Sequence, residues 1–149
     1  MSLSTRIKQD MQAALRSGDK PRLGALRMAL AAITQREVDT RETLGDDAVE
    51  TVLERMIKQG RDAASQFRKA GRTDLADKED AEIEILATYL PEALSTSELT
   101  ALIGEVVSAT GASSMRDMGK VMGEIKQRAA GRVDMSAVNI QVRALLSAD

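Results

Sequence analysis

The chain of 149 residues contains no cysteine and no histidine. The absence of cysteine excludes disulfide bonds, thiolate metal sites and a cysteine nucleophile. The absence of histidine removes the commonest general base near neutral pH and the commonest metal ligand. Carboxylates, lysines, hydroxyl groups and a single tyrosine are the groups left for chemistry.

Aromatic residues and long apolar segments are also scarce. Phe67 and Tyr89 are the only aromatic residues, so the core must consist of aliphatic side chains, methionine and alanine, which suit helix-on-helix packing. No apolar run approaches the roughly 20 residues that cross a bilayer, and residues 1–10 lack the apolar part of a signal peptide. These features predict a cytoplasmic protein with no membrane association.

Charges are segregated along the chain, although the formal net charge is only -2. Residues 1–36 and 55–72 are strongly basic, whereas residues 73–90 carry six acidic residues against Lys78 alone. The basic residues of the second segment are Arg55, Lys58, Arg61, Arg68, Lys69 and Arg72. Because partners meet the local surface charge, these segments matter more than the net value.

Apolar residues recur at helical spacing, and no segment shows the alternation that is typical of a strand. We therefore predict an all-α fold with four long helices followed by three shorter ones. Pro91 should end the fourth helix at Leu90, because proline disfavours helical angles in the preceding residue. The predicted domains are an N-terminal helical bundle over residues 1–91 and a tail subdomain over residues 92–149.

Several predicted helix ends rest on capping patterns. Thr73 is expected to cap the fourth helix, and Ser95 with Glu98 has the pattern of a capping box that begins the fifth. The sixth helix is predicted to run from Ser114 to Gly131.

All six basic residues of segment 55–72 fall within about 140° of arc when they are placed around one helix at roughly 100° per residue. This face could follow a phosphate backbone. The alternative is a solvated face that pairs with the acidic fourth helix, which is the commoner role of such a run of charges.

Two glycines, Gly119 and Gly123, lie four residues apart in the predicted sixth helix, between Lys120 and Lys126. Each costs a helix roughly 1 kcal/mol relative to alanine, so the pattern indicates close approach of another backbone. That backbone could belong to a neighbouring helix, to a nucleic acid or to a partner protein.

Signs of catalysis are weak. Neither a phosphate-binding glycine-rich loop nor an activated nucleophile can be found, and no cofactor is predicted. Asp77, Asp80 and Glu84 could share a helical face and hold a divalent cation, but acidic residues early in a helix are common because of the helix dipole. We predict neither a catalytic residue nor a metal site.

Residues 117–146, DMGKVMGEIKQRAAGRVDMSAVNIQVRALL, resemble the C-terminal signature of the GatB/YqeY family, a Met-Gly-Lys-x-Met-Gly helix followed by Gly-[Arg/Lys]-x-Asp and a valine-rich helix. Residues 88–99 are similar to the family's Tyr-Leu-Pro linker, and residues 20–27 resemble its free-standing YqeY-like members. Met135 stands where the family often has glycine. The motifs occur in the family's order and cover almost the whole chain.

The resemblance implies that the last three helices are similar to the tail of the tRNA-dependent amidotransferase B subunit, which helps to hold a mischarged tRNA. The family label carries carbon–nitrogen ligase activity with glutamine as amido donor, but in that enzyme other domains perform the chemistry. We therefore expect a non-catalytic accessory module of translation that contacts tRNA by shape and phosphate position. The expected binding residues are Gly119, Lys120, Gly123, Lys126, Arg128 and Arg132, with the six basic residues of segment 55–72 as a second surface.

Two alternatives remain open. The chain could be an adaptor that docks through Gly119 and Gly123 on an amidotransferase, an aminoacyl-tRNA synthetase or another protein, as the negative net charge would favour. It could also be an independent glutamine-dependent ligase, although no residue set for that reaction is visible.

Overall fold

The computed structural model describes residues 1–129 and 132–147, and these residues form helices and no strand. The predicted all-α class is thus confirmed. The α-helices are α1 (Leu3–Ser17), α2 (Lys20–Thr40), α3 (Asp46–Lys69), α4 (Thr73–Ala87), α5 (Thr96–Thr110), α6 (Met118–Arg128) and α7 (Met135–Leu146), with a 3₁₀ turn at Met115–Asp117. The chain divides into two compact units, Met1–Leu90 and a second that begins at Pro91. Their assignment as a bundle and an amidotransferase-like tail stays a prediction.

The first unit, α1 to α4, is organised by local end signals and by one aliphatic core. Gly18 ends α1 with φ 74°, and the Asp19 side chain then caps α2 by accepting a hydrogen bond from the Arg22 amide. The buried core residues of this unit are Leu3, Ile7, Leu26, Ala29, Ile33, Val49, Leu53, Ile57, Leu86 and Tyr89. Helices α3 and α4 pack closely as an antiparallel pair joined by a short turn.

The second unit, α5 to α7, has a separate aliphatic core. Ser95 and Glu98 form the predicted capping box at the start of α5, and Asp134 caps α7 through the Ser136 amide. The buried core residues are Leu99, Ile103, Val106, Val121, Ile125, Val138, Val142 and Leu146. This core contains no aromatic side chain, which agrees with the composition.

The two ends of α4 differ from the sequence prediction. Thr73 is the first helical residue instead of the cap, because Arg72 takes the N-cap position. The helix ends at Ala87 and not at Leu90, since the Tyr89 and Leu90 amides donate to carbonyl groups only three residues earlier. The chain reaches Pro91 through this tight turn over residues 88–90, and proline disfavours a helical conformation in the residue before it.

The start of the sixth helix also differs. Ser114 opens a 3₁₀ turn, and α6 begins only at Met118. The Asp117 carboxylate accepts hydrogen bonds from the Ser113 and Ser114 amides at 2.9 and 3.3 Å, and these bonds hold the tighter turn. Helix α6 ends at Arg128. The predicted end at Gly131 lies outside the described residues.

Candidate functional site

The basic residues of α3 form one exposed face. We call Arg55, Lys58, Arg61, Arg68 and Lys69 the α3 basic face; all five side chains are exposed. Arg72 does not belong to it, because α3 ends at Lys69 and Gly71 turns the chain with φ 74° before Arg72. The predicted run of six residues on one helix is therefore five residues, with Arg72 at the start of α4.

Acidic α4 neutralises only one end of this face. The Arg68 guanidinium pairs with Asp77 at 3.8 Å and, more closely, with Asp80, while Arg72 pairs with Asp74 at 3.1 Å. Within residues 1–129 and 132–147, the cations of Arg55, Lys58, Arg61 and Lys69 have no ion-pair partner within 4 Å. Ion pairs with α4 thus neutralise the charge of Arg68. The other four cations of the α3 basic face have no such partner in the described residues.

The glycines of α6 do not pack against a neighbouring helix in the described part of the second unit. A methyl group added at Gly119 or Gly123 would meet no atom within 4 Å apart from the local backbone of α6 itself, and both residues are exposed. We call Gly119, Gly123, Lys120 and Lys126 the α6 glycine face. The Lys126 side chain is exposed, and the exposed Lys120 ammonium donates a long hydrogen bond of 3.4 Å to the Thr110 carbonyl. Packing against another helix of the second unit, one form of the three predicted explanations for these glycines, is excluded within the described residues.

Arg116 lies in the 3₁₀ turn just before α6, and the sequence prediction did not include it. It lies three residues before Gly119 and is exposed. Residues three apart in a helical segment share a face, which was the available signal.

Two predicted binding residues of the second unit have other contacts. Arg128 lies about half a turn away from Gly123 and pairs with Glu124 at 2.9 Å. The half-buried Arg132 donates from Nε to the Glu92 carbonyl at 3.0 Å, and its own carbonyl accepts from the Leu94 amide at 2.8 Å. Arg132 therefore fixes the segment before α5, and the structure does not bring these arginines onto the glycine face.

A glycine that the sequence prediction did not single out makes the close helix contact. A Cβ atom at Gly60 of α3 would lie 3.1 Å from Ile83 Cγ1 and 3.4 Å from Glu79 Oε2. Gly60 is buried, in contrast to Gly119 and Gly123. The α3–α4 contact thus depends on the missing side chain of Gly60.

Tyr89 anchors the segment after α4 to the start of the chain. Its hydroxyl donates to Asp10 Oδ2 at 2.5 Å, and the Arg6 guanidinium carbon lies 5.0 Å from the centre of its ring. Burial, followed by the hydrogen bond to Asp10, raises the pKa of Tyr89 to about 12. The tyrosine is therefore a protonated structural group at neutral pH.

The three aspartates of α4 form ion pairs, whereas no ion pair within 4 Å involves its glutamates in the described part of the chain. Asp77 and Asp80 both face Arg68, and no group of three acidic side chains that could hold a metal ion occurs in the described part of the chain. The exposed cations of α3 and the α6 glycine face are the features considered for binding.

Comparison with known proteins identifies the family. The family model described as Yqey-like protein matches residues 4–146. The chain belongs to the YqeY-like protein family. The resemblance drawn from the motifs at residues 20–27, 88–99 and 117–146 is confirmed, and this family is related to the C-terminal domain of GatB.

Curated fungal relatives share the name "Altered inheritance of mitochondria protein 41, mitochondrial". The protein of Pyrenophora tritici-repentis is 28% identical over 96% of this chain and 80% of its own length. The proteins of Lachancea thermotolerans and Kluyveromyces lactis are 31% and 32% identical over 62% and 68% of this chain. The match spans only 50% and 57% of the length of those two relatives.

These names contradict the predicted cytoplasmic location, since the matching relatives are named as mitochondrial proteins. Composition and the lack of apolar runs were the basis of that prediction, and neither feature distinguishes one aqueous compartment from another. Within the described residues, no helix combines the length and the apolar character needed to span a bilayer.

Proposed function

We propose that this YqeY-like protein is a non-catalytic accessory module that binds tRNA and contacts its phosphate backbone through the α6 glycine face. The observation that carries the proposal is the open space above Gly119 and Gly123, which lies next to two exposed lysines. A helix without side chains along one line lets a sugar-phosphate chain approach its backbone closely, while lysines supply the neutralising charge.

The mode of binding follows from the side chains that are present. Stacking on bases needs exposed aromatic rings, but Tyr89 is only 4% exposed and its hydroxyl is bonded to Asp10. Phe67 is half-buried. The proposed module therefore contacts RNA by shape and charge, and its affinity should fall steeply with salt.

The α3 basic face supports the proposal as a second surface. From Arg55 to Lys69 it extends over roughly 21 Å of helix at about 1.5 Å per residue. Four of its five cations have no acidic partner among the described residues. Such a row of cations suits the regular spacing of backbone phosphates.

A gel-shift titration with total tRNA at several salt concentrations tests the proposal. We expect Lys120→Gln with Lys126→Gln, and separately Arg55→Gln with Lys58→Gln and Arg61→Gln, to weaken binding several-fold and to flatten the salt dependence. Lys78→Gln on acidic α4 is the matched control, because it removes an exposed cation outside both faces. Binding that is absent at low salt, or equal in all variants, overturns the proposal.

A second candidate function is that of an adaptor that docks the same glycine face on an amidotransferase, an aminoacyl-tRNA synthetase or another protein. The open space at Gly119 and Gly123 would also admit a partner helix. The net charge of -2 does not favour strong RNA binding by this chain alone. Pull-downs with and without nuclease separate the two functions. Partners that survive nuclease and are lost in Gly119→Leu favour the adaptor, whereas partners lost on nuclease treatment favour tRNA.

A further inference from the structure

A cleft of about 250 Å³ opens between α2, α3 and α4 in the first unit. Its walls are mainly apolar and include Met28, Met56 and Ala63. Met28 is 56% exposed, so a flexible thioether side chain stands at the rim in contact with solvent. Methionine adapts to apolar partners of different shape and is frequent on surfaces that bind helices.

The polar groups of the cleft all lack positive charge. The lining contains the carboxylates of Glu79 and Glu82 and the amide of Gln59, and no lysine or arginine. Burial raises the pKa of Glu82, the neighbouring Glu79 adds to the rise, and Lys78 opposes it from outside the lining. Neither glutamate has an ion-pair partner within 4 Å among the described residues.

Gly60 determines how the acidic and apolar parts of the cleft meet. A Cβ atom at this position would lie 3.4 Å from Glu79 Oε2 and closer still to Ile83, so the missing side chain brings the Glu79 carboxylate over the α3 backbone. The Glu79 carboxylate is therefore part of the wall of a mainly apolar cleft and only partly exposed, so its attraction to a cation is less screened than on an open surface.

The size of the cleft indicates what it can hold. Its volume lies below the roughly 300 to 1,000 Å³ that is usual for small-molecule sites. One or two side chains of a partner would fill it, as when the apolar anchors of an amphipathic helix enter a groove. The unpaired carboxylates then select a partner with positive charge beside its apolar anchors.

We propose that this cleft binds an amphipathic helix of a partner protein, which inserts apolar side chains between Met28 and Met56 and places a lysine or arginine against Glu79 and Glu82. This site is separate from the proposed tRNA surfaces, because none of its lining residues belongs to the α3 basic face or to the α6 glycine face.

Three synthetic helical peptides test the proposal on the full chain. The first carries leucines at positions i, i+3, i+4 and i+7 with flanking lysines, the second has glutamates in place of the lysines, and the third has serines in place of the leucines. Binding is followed through isotope-labelled methionine methyl signals. We expect the first peptide to bind most tightly and to shift the signals of Met28 and Met56, while the signal of Met115 in the second unit stays unchanged.

Variants then assign the binding to the cleft. Glu79→Gln with Glu82→Gln should weaken the first peptide roughly tenfold, whereas the matched pair Glu54→Gln with Glu84→Gln, which lies outside the lining, should leave it unchanged. Ala63→Leu should fill the cleft and abolish binding. If circular dichroism shows that Ala63→Leu does not fold, the Glu79→Gln/Glu82→Gln variant still tests whether the peptide binds in the cleft.

Three results would overturn the proposal. The first peptide does not bind at all, the glutamate-bearing peptide binds as tightly as the first, or the Glu79→Gln/Glu82→Gln variant binds the first peptide as tightly as the unmodified chain does. Loss of tRNA binding in the α6 or α3 variants does not bear on it, so the two proposals fail independently.

Discussion

The Tyr89 hydroxyl donates a hydrogen bond of 2.5 Å to Asp10, which lies 79 residues earlier in the chain. The bond connects the segment after α4 to α1, and Arg22 approaches the same carboxylate at 3.9 Å. Tyr89 is buried while Asp10 is partly exposed, so the two partners differ in what their removal leaves behind.

Substitution of Tyr89 and substitution of Asp10 should both destabilise the first unit, but by different amounts. Tyr89→Phe should lower the free energy of unfolding by about 1 kcal/mol, because it deletes the bond and leaves Asp10 accessible to water. Asp10→Ala should lower it by roughly 1 to 3 kcal/mol, because the buried tyrosine hydroxyl then lacks its acceptor. Urea denaturation of both variants shows which substitution lowers the free energy of unfolding more. A larger effect for Tyr89→Phe would contradict this account.

Alkaline titration should reveal the same contact. The pKa of Tyr89 is raised from 10.0 to about 12, so the folded state holds the phenolic proton more tightly than the unfolded chain. The resulting stabilisation is complete below pH 10 and is lost as the pH rises towards 12, by roughly 2 to 3 kcal/mol in total. Tyrosinate absorbance reports on this residue alone, because the sequence has one tyrosine and no tryptophan. A midpoint near 10 in the folded protein would refute the prediction.

Alanine substitutions should separate the packed glycine from the open ones. Gly119→Ala and Gly123→Ala should each raise the free energy of unfolding by roughly 0.5 to 1 kcal/mol, because the methyl group meets open space and stiffens the unfolded chain. Gly60→Ala should lower it by about 1 kcal/mol, because the methyl group would crowd Ile83 at 3.1 Å. Thermal unfolding of the three variants provides the test, and the same direction of change in all three would contradict it.

Some helix ends were predictable from the sequence, whereas the contacts between distant residues were not. The Ser95–Glu98 capping box and the end of α1 at Gly18 depend on residues within one turn of the helix end. The packing role of Gly60 and the contact of Tyr89 with Asp10 depend on which helices become neighbours. A sequence pattern shows that a glycine weakens a helix, but not whether another helix lies beside it.

The candidate site was partly predicted for the same reason. Lys120, Lys126 and the two glycines all lie in α6, and their common role in binding stays a prediction. Arg132 was grouped with them by its nearness in sequence, but its guanidinium reaches Glu92, 40 residues away. The amino-acid sequence alone gives no indication of the hydrogen bond between Arg132 and Glu92.

Arg132 and Lys126 should therefore behave differently on substitution. Arg132→Gln should lower the stability of the second unit by about 1 kcal/mol, because the Glu92 carbonyl loses its donor. Lys126→Gln should leave stability within about 0.5 kcal/mol of the unmodified chain, because the side chain is exposed and makes no ion pair in the described residues. Denaturation curves and gel shifts run in parallel distinguish the two residues. Reversed effects on stability would refute the assignment.

The open space at the α6 glycine face has a consequence for the motion of the helix as well as for binding. A helix that carries two glycines with nothing packed on them opens more readily than its neighbours, so its backbone amides should exchange with solvent sooner than those of α5 and α7. A ligand that covers Gly119 and Gly123 would close that opening. Slowed amide exchange in α6 would then mark the bound state directly, whether the ligand is an RNA or a protein.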